Sequence, residues 1–187
     1  MNDSTIIYTK RSKPDKRGSK YFDLYRYTFN DEDEQRLTHN SRLISPVYNV
    51  IDNSIAAITS YDGTSNIMIS RNVDITQDSL TFGAVTQLDN GIQLLSLAWS
   101  GNTLLVDGVY HQGRQIYKVD PDVGELELVS SGRWENRDQI ISSDGMIYVS
   151  DKSGINNLVY QKDGRQDYIT NVMGGAFMPS VTRDGKI

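Results

Sequence analysis

Two histidines, His39 and His111, are the only imidazoles in this 187-residue chain, and it has no cysteine. A serine triad would need one of them beside a buried aspartate, with a nucleophile on a strained turn. No Gly-x-Ser-x-Gly elbow is present to supply that nucleophile. The wide separation of the two histidines gives no local spacing for a metal site. His39 follows Leu37-Thr38 in a loop and His111 comes after Val106-Asp107-Gly108, and both are read as surface-loop residues. Asp120-Pro121-Asp122-Val123-Gly124-Glu125 has a passing likeness to a calcium loop, which wants oxygen ligands at alternate positions and a bidentate glutamate at the twelfth. Val123 and Leu126 break that pattern, and the segment is read as a hairpin turn. No catalytic, cofactor-binding or metal-ligating residue is assigned, and no cofactor is implied.

Three other stretches stand out for their charge or their glycines. Lys10, Arg11, Lys13, Lys16, Arg17 and Lys20 form a basic insertion punctuated by Pro14 and Gly18, with Tyr21 and Phe22 beside it. It reads as a long, solvated hairpin loop. The functional alternative is contact with anionic lipid head groups or an acidic partner, since aromatic and Arg residues are the usual interface anchors. The acidic run Asp31-Glu32-Asp33-Glu34 reads as a solvated turn tip whose charges also protect a strand edge from pairing. Gly174-Gly175-Ala176-Phe177-Met178 reads as a bend whose Phe177 and Met178 pack between neighbouring units. The alternative is a binding rim, because two glycines permit close backbone approach.

The elements that must position these residues are strands. Apolar runs four to six residues long, rich in Ile, Val, Tyr and Thr, suit a pleated, half-buried surface. Asp62-Gly63, Asp144-Gly145, Asp163-Gly164 and Asp184-Gly185, with Gly101-Asn102 and Asp52-Asn53 as variants, suit tight turns between antiparallel strands. The same pattern recurs four times, with equivalent positions at Leu24, Ile67, Ile116 and Leu158, spaced 43, 49 and 42 residues apart. A period of roughly 40–50 residues with four short strands per unit is the signature of a propeller blade. Between Ile69 and Leu95 the fourth strand falls either at Leu80-Thr81 or at Val85-Thr86.

The expected architecture is all-β: a β-propeller fragment of four-stranded antiparallel blades, about three complete and two partial. It forms a single partial domain over 1–187, with blade segments at about 1–44, 45–94, 95–137, 138–177 and the start of another at 178–187. Closed propellers contain about four to eight blades. The expectation is therefore a piece of a longer polypeptide that packs against further blades, rather than a ring closed by several chains.

A net charge of −5 argues against a nucleic-acid partner, whose binders carry a basic face. No apolar run approaches membrane-spanning length. The first residues show no basic region followed by an apolar stretch, so no secretion signal is visible. The missing cysteines exclude disulfides and thiolate chemistry.

The repeat resembles the TolB-type β-propeller repeat, a WD-like unit. The residues that carry the resemblance are Leu37-Thr38 with Pro46, Trp99-Ser100, Ser143-Asp144-Gly145 with Asn157-Leu158, and Ile169-Thr170 with Pro179 and Asp184-Gly185. Ser143 and Arg183 stand where the family's turn has proline, and one copy alone holds the tryptophan. The resemblance implies a non-catalytic scaffold for a protein, peptide or ligand partner, periplasmic or at the cell envelope of a bacterium. The competing implication is the substrate-gating propeller of a serine peptidase of the prolyl oligopeptidase or tricorn type, whose catalytic domain would lie outside this chain.

Overall fold

Alternating and continuous runs of β-branched and aromatic residues become short antiparallel strands in the computed structural model, which describes residues 4–61, 63–109, 113–130, 132–142 and 144–182. Asp62, His111, Ser143 and the Arg183 to Ile187 stretch, with its Asp184-Gly185 turn, lie outside the described residues. The chain forms two compact units, residues 1–91 and 92–187. In the first, β1 (Thr5–Arg11), β2 (Phe22–Thr28) and β3 (Asp33–Arg36) make a three-stranded sheet. β4 (Leu43–Asn49), β5 (Ser54–Tyr61), β6 (Thr64–Ser70) and β7 (Gly83–Ala84) make a four-stranded one. The second unit holds β8 (Gln93–Ser100), β9 (Thr103–Val109), β10 (Arg114–Val119) and β11 (Leu126–Leu128), then β12 (Asn136–Ile141), β13 (Met146–Ser150), β14 (Asn157–Lys162) and β15 (Arg165–Tyr168). Every pairing is antiparallel between neighbours in sequence, the meander of a propeller blade. The first strands begin at Leu43, Gln93 and Asn136, each two residues ahead of the expected blade starts.

The second strand of each four-stranded sheet is buried on both faces, so its sequence is a continuous apolar run. Along β13, Met146 and Tyr148 enter a cluster with Leu105, Ile116 and Val159, while Ile147 and Val149 point the other way to join Leu158. In the first unit, Leu24 and Leu37 of one sheet pack with Leu43, Ile55 and Ala57 of the next. Turns follow their residues: Asp163 (φ 48) and Gly164 (φ 76) are both left-handed, as a two-residue hairpin requires. Gly108 is needed for space, because a Cβ there would lie 2.7 Å from the carbonyl oxygen of Gln93.

One hydrogen-bonded device closes all four sheets. In the first, the Leu24 N–H donates to the Thr38 hydroxyl at 2.9 Å, and that hydroxyl donates to the Asp23 carboxylate at 3.2 Å. In the second, Ile67 donates to Thr86 at 2.9 Å, and Thr86 to Asn66 at 3.1 Å. Ile116, Ser130 and Gln115 repeat it at 2.9 and 2.7 Å, and Leu158, Thr170 and Asn157 at 2.8 and 3.0 Å. In each sheet the residue before the hydroxyl (Leu37, Val85, Val129 or Ile169) donates its N–H to the carbonyl of the same residue (Leu24, Ile67, Ile116 or Leu158), on the last strand but one, at 2.8–2.9 Å. Only a hydroxyl can accept and donate at one atom in so small a volume. The four positions expected to be equivalent, Leu24, Ile67, Ile116 and Leu158, therefore occupy the same place in the four sheets.

The fourth strand of the second sheet is Gly83–Ala84, leading directly into the Val85-Thr86 latch. Leu80 instead ties this segment to the first sheet. Its N–H donates to the Leu37 carbonyl at 2.8 Å and its side chain joins the core between the first two sheets. Residues 71–82 are further held there by Arg26 on the Ile75 carbonyl and by Gln35 on Asp78 at 2.6 Å.

Replacing Thr38 with valine keeps the shape and strands the buried Leu24 N–H, an expected loss of about 1–3 kcal/mol. Thr38→Ser keeps the hydroxyl and should lose less than half of that, as urea midpoints of the two variants would show. A second test concerns pH. Burial would raise the Asp23 pKa, but the Ser41 N–H and hydroxyl and the Arg36 guanidinium outweigh burial and hold it below the ordinary aspartate value. A depressed carboxylate stabilises the fold above the unfolded value, about 3.9, and that contribution disappears as pH falls through the lower folded value. Urea midpoints measured from neutral pH down to about pH 3 should fall further in the wild type than in Asp23→Asn, which starts weaker.

Candidate ligand-binding groove

The basic insertion is the loop joining β1 to β2, and it is built. The Asp15 carboxylate accepts the N–H groups of Arg17 and Ser19, both at 2.8 Å, and Gly18 (φ 79) turns its N–H back to the Asp15 carbonyl at 3.0 Å. At the base, buried Ser12 donates its N–H to the Tyr21 carbonyl at 2.7 Å and accepts the Tyr21 N–H on its hydroxyl at 3.0 Å. Lys13, Lys16 and Arg17 are exposed at the tip, while Tyr21 is held at the root.

Beside that root opens a groove of roughly 510 Å³, lined by Arg11, Lys20, Tyr21, Phe22, Arg42 and Ile44 among others. Arg42 comes from the connector between the first two sheets. Its guanidinium lies 5.0 Å from the centre of the Tyr21 ring and 5.1 Å from that of Tyr61, at the end of β5. Arg11 stacks on Phe22 at 5.6 Å. Stacking occupies the guanidinium faces and leaves the edge N–H donors available. No described carboxylate lines the groove, and none pairs with Arg11, Lys20 or Arg42. Lys10, one residue before Arg11, is neutralised by Glu34 at 2.6 Å. That bridge and the Tyr8 hydroxyl hold Glu34 below the usual carboxylate range, while burial and then Glu34 push Tyr8 up to about 12.

Arg42 also has φ 55, a left-handed conformation uncommon for a side chain of its size. Ser45 (φ 51) and Asp138 (φ 53) share that conformation for a local reason, since each lies in the register shift of a first strand. Arg42 precedes its strand, in a connector where Asn40 (φ 56) is also left-handed and the intervening Ser41 is bonded to Asp23. Strain of this kind concentrates at ligand sites.

The other marked residues find plainer places. His39 is exposed in the bend after Thr38. Asp120 caps the turn between β10 and β11, accepting the Asp122 N–H on its side chain and the Gly124 N–H on its carbonyl, both at 2.8 Å. The acidic run is divided: Asp31 and Glu32 form the turn, whereas Glu34 reaches across the sheet to β1. Gly175 (φ 90) supplies a bend, and Phe177 lies under the Arg137 guanidinium at 5.1 Å. Met178, however, is 82 % exposed. A cavity in the second unit, among Trp134, Asn136, Tyr148 and Lys152, is about 40 Å³, room for a few waters. The buried Asp107 gathers the Ser96 N–H and hydroxyl, Arg114 and the Asp138 N–H within 2.6–3.0 Å, so its oxygens are committed to structure. Among the described residues no cluster of potential metal ligands forms, and no helix is long and apolar enough to cross a membrane.

These sheets and latches define a partial β-propeller. No family model matches the sequence and no curated protein is found to resemble it. Solved structures do resemble the fold. TolB from Acinetobacter baumannii matches with a TM-score of 0.76 at 16% identity, over 98% of this chain and 45% of that one. The putative TolB from Agrobacterium tumefaciens matches at 0.67 and 17%, over 93% and 65%. The β-propeller domain of the Trilobed protease from Pyrococcus furiosus matches at 0.64 and 12%, over 90% and 52%. The fold is thus of the TolB-like propeller type, and the chain spans less than half the length of the first of these structures.

Arg42→Gly removes two stacked contacts of about 0.5–1 kcal/mol each and relieves a left-handed conformation costing about 1–2 kcal/mol. The urea midpoint should therefore correspond to a change within about 1 kcal/mol. A larger loss would mean that Arg42 is a structural keystone and not a strained surface group.

Proposed function

We propose that this chain is a non-catalytic segment of a TolB-like β-propeller that serves as a scaffold for a protein, peptide or other ligand, within a larger bacterial envelope protein. The observation that carries the reading is the groove. Sheets locked by buried latches hold three cations without a described anionic partner, and their aromatic supports, at one end of the first unit. This is the usual division between a rigid framework and recognising loops. The negative net charge disfavours nucleic acid as the partner. The periplasm or cell envelope is inferred from the family resemblance. A second reading, the gating propeller of a serine peptidase, is favoured by the likeness to the Trilobed protease propeller. In that case the catalytic groups belong to another domain.

The reading frame around this segment separates the two. Further in-phase copies of the hydroxyl latch, a secretion signal and no hydrolase domain are expected. A downstream Gly-x-Ser-x-Gly elbow on an α/β pattern would make the segment a gate and end the scaffold reading.

A further inference from the structure

We infer that the groove of the first unit is a docking site for an acidic peptide segment, whose carboxylates bind the edges of the Arg11 and Arg42 guanidiniums. This rests on the scaffold reading and deepens it by naming the partner's chemistry. Arg11, Lys20 and Arg42 line one groove without a described carboxylate among its lining residues, and a protein of net charge −5 leaves these three without any described anionic partner. The adjacent Lys10 shows that the same sheet can neutralise a cation where none is wanted free.

The form of the cations selects the ligand. Arg42 lies over both the Tyr21 and the Tyr61 ring and Arg11 over Phe22, contacts that orient both guanidiniums before any ligand arrives. A planar, oriented guanidinium edge matches a planar carboxylate through two parallel N–H···O bonds. Phe22, 42 % exposed, and the partly buried Ile44 supply carbon surface between the charges, which suits the stems of peptide side chains.

The test uses the purified chain and a fluorescein-labelled octapeptide of alternating glutamate and glycine. The matching glutamine and glycine peptide is the control, and anisotropy is the readout. The glutamate peptide should bind at least about tenfold more tightly than the control. Binding should weaken steeply between about 0.05 and 0.5 M salt. Arg11→Gln and Arg42→Gln should each lower affinity by about tenfold, while Lys16→Gln, at the exposed loop tip, should change it less than about twofold. Unchanged near-ultraviolet circular dichroism and urea midpoints would show that the groove variants remain folded. Equal binding of the two peptides, or a glutamate-peptide affinity indifferent to both Arg variants, overturns the inference. So does stronger binding to phosphatidylserine vesicles or to a single-stranded oligonucleotide, lost in the same variants, since the groove would then serve another polyanion. These results are independent of the reading frame, so failure of acidic-peptide binding and failure of the scaffold reading are read from different experiments.

Discussion

Each sheet of this protein depends on one hydroxyl, buried in the first three sheets and half-buried at Thr170 in the last, that must do two things at once. The last strand but one carries an apolar residue whose N–H faces the hydroxyl, and an unpaired N–H there costs roughly 1–3 kcal/mol. Thr38, Thr86, Ser130 and Thr170 accept that N–H and donate their own O–H to the side chain one residue earlier on the same strand. The acceptor side chain then reaches onward to the following connector: Asp23 to the Ser41 N–H, Asn66 to Leu88 and Asn157 to Val172. The last strand, its exit and the connector are thereby joined to the strand before it through one small polar cluster. This is why fourth strands of two or three residues, such as β7 and β11, suffice: the latch replaces the missing ladder bonds.

The four latches are not chemically identical, and the differences propagate. Asn and Gln acceptors are neutral and need no counter-charge. Asp23 is charged and fully buried, so the first sheet also requires Arg36, whose Nη2 lies 2.6 Å from it. Removing one member of such a pair leaves an uncompensated charge in the interior. In the second unit the buried carboxylate, Asp107, serves a junction and not a latch. It binds the Asp138 N–H across to β12, at a residue whose left-handed backbone is part of the strand's register shift. Gln139, the next residue, adds a bond to the Leu105 carbonyl at 3.2 Å.

The repeat was legible in the sequence because its two halves are the latch partners themselves. Leu37-Thr38 and Ile169-Thr170 supply hydroxyls, and Asn157-Leu158 supplies an acceptor and the N–H, so spacing and chemistry coincide. The fourth strand of the second sheet was not legible. Gly83–Ala84 has no side-chain signature, and Leu80 advertises a strand while packing against the neighbouring sheet. The groove was half legible. The basic loop, Tyr21 and Phe22 lie together in sequence, but Arg42 and Tyr61 come from the connector and the end of β5, and only the folded first unit brings them to Tyr21. Arg42 also hides its character, since nothing in its neighbours announces a left-handed backbone. The acidic run was legible as a solvated turn leading into an edge strand, but the pairing of Glu34 was not: Glu34 finds Lys10 only once β1 and β3 flank β2.

The contrast between Lys10 and Arg42 separates structure from recognition. Both are cations on the first unit, and both lie against tyrosine rings, Lys10 5.3 Å from Tyr25 and Arg42 between Tyr21 and Tyr61. Lys10 also has a carboxylate at 2.6 Å, a surface pair of the kind whose net effect on stability is small. Arg42 has no described carboxylate and a backbone conformation that opposes it. A fold selected for stability alone would favour glycine at that φ. The latches leave room for such a departure, because they hold the sheets without any contribution from the groove. The stacked rings hold this arginine in one orientation, which lowers the entropy lost when an anion is bound. An arrangement that is indifferent for folding and favourable for a ligand is what distinguishes a binding residue from a structural one.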